Sequence, residues 1–133
     1  MSRLCLCLTA STHQGAGEQI DRCRTWIDMA ELRVDLLDPD QRSAAADLPR
    51  RSGIPMILTA RLPADGGRWG ENGENESERE ALLIRFLETG CWEWVDLEYG
   101  NSLKNAVGTA QRNGTRIIRS IHDFSGDLAA GSV

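Results

Sequence analysis

The sequence predicts an α/β protein built on a parallel sheet, and three observations predict it. Apolar runs of strand length alternate along the chain with segments whose apolar residues recur at spacings of three and four, in the order βαβαβαβαβ. Charged residues collect at the carboxyl ends of several of those runs. The chain has 133 residues, 41% of them hydrophobic and 26% charged, which suits one domain with one core.

Residues 3–9 are an apolar run rich in Leu and Cys and read as the first strand. Ala16, Ile20, Cys23 and Ile27 then mark one face of a helix. The second strand, 29–37, places Glu31, Arg33 and Asp35 on one face and Ala30, Leu32, Val34 and Leu36 on the other. Asp38-Pro39-Asp40-Gln41 offers an N-cap, a proline at the first helical position and a capping-box partner. A short helix through Leu48 is expected there, ended by Pro49 and Gly53, before a third strand at 54–60.

A polar loop, 62–75, carries Asp65-Gly66-Gly67, Gly70 and Gly73. The third helix is expected to start at the capping box Ser77-x-x-Glu80, ahead of Ala81, Leu82, Ile84, Phe86 and Leu87, and to end at Gly90. Residues 92–99 read as the fourth strand. Leu103, Ala106, Val107 and Ala110 mark a fourth helix ending at Asn113-Gly114, and 115–121 the fifth strand. The alternation fits either an open doubly wound sheet or part of a closed (β/α)₈ barrel.

Fifteen Lys and Arg against twenty Asp and Glu give a net charge of -5, which disfavours nucleic acid and anionic membrane as partners. No apolar run reaches the roughly 18 residues of a spanning helix, and Met1-Ser2-Arg3 leads straight into a strand-like run, so a cytoplasmic protein is expected. The four cysteines, Cys5, Cys7, Cys23 and Cys91, are expected to be buried, reduced thiols. Cys5-x-Cys7 with His13 supplies too few ligands for zinc, so no metal is expected. Ser11-Thr12-His13-Gln14-Gly15 follows strand one where a nucleotide-binding Gly-x-Gly-x-x-Gly would stand.

A parallel strand covered on both faces should be almost continuously apolar. Strand two is not, which leaves an exposed edge strand or a strand bordering a functional cavity. Arg61, Asp96, Glu98, Ser120 and His122 also fall at carboxyl ends, where barrel enzymes assemble their sites, and this favours a barrel lumen.

Four motifs then carry a family resemblance. Glu31-Leu32-Arg33-Val34-Asp35, Ile57-Leu58-Thr59-Ala60-Arg61 with Asp65-Gly66-Gly67, Val95-Asp96-Leu97-Glu98, and Ile117-Ile118-Arg119-Ser120-Ile121-His122-Asp123-Phe124 resemble, in order and spacing, the type I 3-dehydroquinate dehydratases. Leu4-Cys5-Leu6-Cys7-Leu8-Thr9 and Met29-Ala30-Glu31 look more specifically like the dehydratase domain of fused dehydratase–shikimate dehydrogenase proteins. The resemblance implies a TIM barrel, of which residues 1–133 would be a single partial domain with about the first five strands and four helices. It also implies a lyase of the shikimate pathway, acting on 3-dehydroquinate through a Schiff base with a lysine and needing no cofactor.

Residue by residue, the resemblance makes His122 the catalytic base and acid, a role suited to an imidazole. Asp65 takes the place of a family glutamate, one methylene longer, that assists proton transfer. Glu31, Arg33 and Arg61 correspond to substrate-binding positions, and Cys7 to a substrate-contacting serine of some members. Asp35, Asp96 and Glu98 read as supporting charges of the lumen. The imine-forming lysine belongs to a sixth strand, whereas Lys104 is the only lysine here and sits beside the apolar face of helix four, on the outside of a barrel.

Two functions stay open. One is the N-terminal part of a dehydratase, inactive alone and dependent on a C-terminal half. The other is a noncatalytic half-barrel that binds small anions or associates with itself as a homo-oligomer.

Overall fold

A computed structural model of the chain describes residues 2–98 and 103–122. Tyr99 of the expected fourth strand, Asp123-Phe124 of the last motif and the remaining C-terminal residues lie outside the described residues.

The strands are β1 (Cys5–Leu8), β2 (Met29–Arg33), β3 (Met56–Thr59), β4 (Trp94–Glu98) and β5 (Arg116–Ser120). The helices between them are α1 (His13–Cys23), α2 (Leu48–Ser52), α3 (Glu76–Leu87) and α4 (Lys104–Arg112). All neighbouring strands pair in parallel, in the spatial order β1-β2-β3-β4-β5. A doubly wound sheet reverses its strand order at a switch point, and this sheet does not, so the order is that of a barrel wall.

Register gives each face of the sheet its character. Leu8, Ala30, Leu32, Met56, Leu58, Val95 and Leu97 point to the helix layer. They are buried there in one cluster with Ala16 and Ile20 of α1, Leu83, Phe86 and Leu87 of α3, and Ala106 and Ala110 of α4. Each large apolar side chain removed from water in this way contributes about 1.5–3 kcal/mol. The other face carries Cys7 beside Glu31, Thr59 beside Asp96 and Glu98 beside Ser120.

Several local expectations are corrected. Strand two stops at Arg33, and Val34–Leu36 forms a 3₁₀ turn that takes Asp35 out of the pleat. In place of one helix through Leu48, two 3₁₀ turns, Pro39–Gln41 and Ser43–Ala45, lead into α2. Asp38 makes no side-chain cap, and Gln41 instead accepts a bond from the His13 amide at 3.3 Å. Pro49 stands in the first turn of α2, where its missing N–H costs nothing, so it starts a helix and does not end one. Gly53 closes that helix at φ +72°.

The cap of α3 is Asn75, whose side chain accepts from the Glu78 amide at 2.8 Å, and Ser77 lies inside the helix. Glu80 reaches across to the start of α4, accepting from the amides of Asn105 (3.1 Å) and Ala106 (3.3 Å) where Leu103 offers no side-chain cap. α1 ends before Ile27, which still packs against the core. β4 starts at Trp94, while Trp92 is buried and its indole donates to the Ala46 carbonyl at 3.0 Å.

The cysteines are free but not buried as expected. Cys5 and Cys7 are exposed on the polar face of the first strand, and Cys23 and Cys91 are half-buried. Lys104 is exposed at the first residue of α4.

Candidate active site

The carboxyl ends of β2 to β5 carry one connected set of polar side chains. Thr59 donates its hydroxyl to Glu31 Oε2 at 2.7 Å. Arg61, two residues past the end of β3, donates Nη2 to Asp96 Oδ2 at 3.1 Å and lies 3.5 Å from Glu31 Oε2. Ser120 donates to Asp96 Oδ1 at 2.5 Å. The parallel register brings these residues together, since it aligns Thr59 with Asp96 and places Glu98 beside Ser120. Burial pushes the Asp96 carboxyl up from the ordinary carboxylate value, and the neighbouring Glu98 charge adds to this against the bonds from Ser120 and Arg61.

Asp35 lies below this set with a fully buried side chain. Arg33 grips it as a fork, Nε to Oδ1 at 3.0 Å and Nη2 to Oδ2 at 2.7 Å. The amides of Arg61 (3.2 Å) and Arg68 (3.0 Å) donate to the same carboxylate. Burial alone would raise the Asp35 carboxyl, but these donors outweigh it and hold it below the usual carboxylate range. The same bond raises Arg33. Part of the Arg33 guanidinium is therefore spent within the protein, tying the end of β2 to the loop after β3.

That loop brings Asp65 to the mouth. Pro63–Asp65 makes a 3₁₀ turn, Gly66 follows at φ +84°, and Gly67 passes so close to Arg61 that a Cβ would lie 2.2 Å from the Arg61 carbonyl oxygen. Only glycine fits at that approach. Asp65 Oδ1 consequently lies 3.6 Å from Nδ1 of His122, which follows β5 by two residues.

Cys7 faces Glu31 across the β1–β2 register. Desolvation and the Glu31 carboxylate beside it push its thiol up from the ordinary cysteine value, so it serves as a neutral hydrogen-bonding group. Among the described residues no group of three or more His, Cys, Asp or Glu has the arrangement of a metal site.

Two polar sets escaped the sequence reading. Arg79 of α3 is completely buried and donates Nη1 to the Ala60 carbonyl at 2.6 Å and to Glu98 Oε2 at 2.9 Å, with Nε on Glu76 at 2.7 Å. Glu98 thus anchors a helix as well as bordering the mouth. The signal was there, since Arg79 shares a helical stripe with Leu82, Leu83 and Phe86. Arg42, Trp69 and Glu74 form the second set; Arg42 and Glu74 bond at 2.5 Å across 32 positions, which no local pattern encodes.

Comparison with known proteins agrees with this geometry. Residues 4–131 match the family model described as type I 3-dehydroquinase. A pentafunctional AROM polypeptide of Komagataella phaffii is 32% identical over 134 residues, an alignment covering 96% of this chain and 8% of that protein. A 3-dehydroquinate dehydratase of Methanosarcina mazei is 34% identical over 105 residues, 73% of this chain and 42% of the relative.

Among solved structures, the 3-dehydroquinate dehydratase of Geobacillus kaustophilus superposes with a TM-score of 0.82 at 23% identity, covering 96% of this chain and 52% of that one. The dehydroquinate dehydratase and shikimate dehydrogenase structure from S. pombe AroM gives a TM-score of 0.77 at 29% identity, covering 97% and 26%. The chain spans about half the length of the Geobacillus kaustophilus dehydratase and less than half that of the Methanosarcina mazei relative, and its sheet is the N-terminal part of a TIM barrel. The family-model match across nearly the whole chain, on a barrel wall with His122 and Asp65 paired at its mouth, means that this chain belongs to the type I 3-dehydroquinase family.

Proposed function

We propose that the chain supplies the substrate-orienting and proton-transferring half of a 3-dehydroquinate dehydratase site, in the shikimate route to aromatic compounds. The observation that carries this is the Asp65–His122 pair at 3.6 Å beside the Glu31–Arg61–Asp96 network. His122 takes the proton beside the substrate's imine carbon and returns one to the departing hydroxyl, and Asp65 holds its imidazole. Glu31 and Arg61 offer charge-assisted bonds to substrate hydroxyls, and Arg33 does so with the donors that Asp35 leaves unused. Cys7 offers a neutral thiol at the rim. Imine formation needs an amine inside the site, and Lys104 is an exposed residue of α4, so the lysine comes from a complementary half of the barrel.

The test joins this chain to the C-terminal half of a family barrel and measures dehydration of 3-dehydroquinate. His122→Ala in the joined protein should lower turnover about 10² to 10⁴-fold, the usual contribution of a positioned proton-transfer group, while borohydride still traps substrate. Near-normal turnover in that variant removes His122 from the mechanism.

A further inference from the structure

Behind the mouth, a second buried polar set sits where the 62–75 loop meets the turns after β2. Arg42 donates Nε to the Val34 carbonyl at 3.2 Å and Nη1 to Glu74 Oε2 at 2.5 Å, and its guanidinium lies 4.6 Å from the centre of the Trp69 ring. The indole of Trp69, itself 3% exposed, donates to the carbonyl of Asn75, the residue that caps α3. The other Glu74 oxygen accepts from the amides of Gly70 (3.1 Å) and Asn72 (3.0 Å). One cluster thus fastens the turn after β2, the tip of the loop and the start of α3.

The loop so fastened carries Asp65. Its Trp69 amide donates to the Arg61 carbonyl at 3.0 Å, and its Arg68 amide to Asp35 at 3.0 Å, so the position of Trp69 is transmitted back to Asp65 through a short, closed turn. The Asp65–His122 contact is a partly exposed pair at 3.6 Å and is too weak by itself to order a loop of this length. An arginine stacked on an indole, with one N–H on a carbonyl and another on a largely buried carboxylate, is a much stronger fastening.

We propose that Arg42, Trp69 and Glu74 form a latch that presets the 62–75 loop and thereby positions Asp65 against His122. All three are positioning residues. The role of Asp65 in catalysis rests on the function proposed above, whereas the latch stands on its own contacts. Burial favours the neutral Glu74 carboxyl, yet Arg42 and the loop amides hold it ionised, with its pKa lowered to about 2, so the latch is closed at neutral pH.

The test uses the whole 133-residue chain and two readouts: the rate of tryptic cleavage after Arg68, which reports loop opening, and the rate of His122 acylation by diethylpyrocarbonate, read by mass spectrometry. Asp65→Asn sets the acylation rate of a His122 without its carboxylate. Glu74→Gln should raise cleavage after Arg68 about tenfold or more, because cleavage follows the open population and a bond to a charged group is lost. It should also move His122 acylation to the Asp65→Asn rate. Arg42→Lys keeps a cation without the stacking or the paired bonds to the Val34 carbonyl and Glu74, and should fall between wild type and Glu74→Gln in both readouts.

Faster cleavage with His122 acylation unchanged, or no change in either, overturns the proposal. If Glu74→Gln unfolds the chain, seen as cleavage after the buried Arg79, the Arg42→Lys pair of rates decides by the same criteria. A chain that meets both expectations while its joined barrel lacks dehydratase turnover supports the latch and removes the functional reading instead.

Discussion

Cys7 and Glu31 show how closely one side chain sets the chemistry of another at this mouth. The two are neighbours across the β1–β2 register, and desolvation together with the Glu31 carboxylate raises the Cys7 thiol. Alkylation proceeds through the thiolate, so Cys7 should react slowly with iodoacetamide at neutral pH despite its exposure. Glu31→Gln removes the negative charge and lowers the thiol pKa, so the reaction should become several-fold faster, with its pH profile moved to lower pH. Equal profiles for the two proteins would show that Glu31 does not act on the thiol.

At the scale of elements, Arg79 and Glu98 join α3 to the ends of β3 and β4 through a pair with side chains 0% and 2% exposed. Removing one partner of such a pair takes the counter-ion from a buried charge and typically costs about 3–5 kcal/mol. Arg79→Met should therefore lower unfolding stability in urea by that order. The double variant Arg79→Met, Glu98→Gln should lose clearly less than the sum of the two singles. Additive losses would mean that the pair does not act as a unit.

Those elements were legible in the sequence where periodicity decides: five strands, the helices α1, α3 and α4, and the polar positions Glu31, Asp96 and Ser120 all follow from repeats of two or of three to four residues. What was not legible depends on distant partners. Asp38-Pro39-Asp40-Gln41 has the letters of a helix start, but Gln41 is taken up by the His13 amide. Ser77 and Glu80 look like a capping box, but Asn75 caps first and Glu80 serves α4. Asp35 follows the alternation of β2 yet leaves the strand because four donors from Arg33, Arg61 and Arg68 converge on it. The thiols of Cys5 and Cys7 were expected inside by residue type, and the open side of β1 leaves them exposed.

For the whole molecule, the described sheet has two edges, β1 and β5, where a closed barrel has none. Leu4 and Ile121 lie beside those edges, 57% and 38% exposed. Unpaired backbone and exposed apolar area both favour association, so the isolated 133-residue chain should self-associate along its strand edges, away from the charged face of Glu31, Arg33 and Asp96. Light scattering over a concentration series should show dimers or larger species, and a stable monomer at all concentrations would contradict edge pairing.

On the function proposed above, this wall of the barrel holds the proton-transfer half of a dehydratase site and the amine comes from the other half. Borohydride trapping with 3-dehydroquinate, followed by peptide mass spectrometry, tests it most directly. No reduced adduct is expected on this chain alone, and in the joined barrel an adduct is expected on a lysine of the complementary half. A reduced substrate adduct on Lys104 would contradict it.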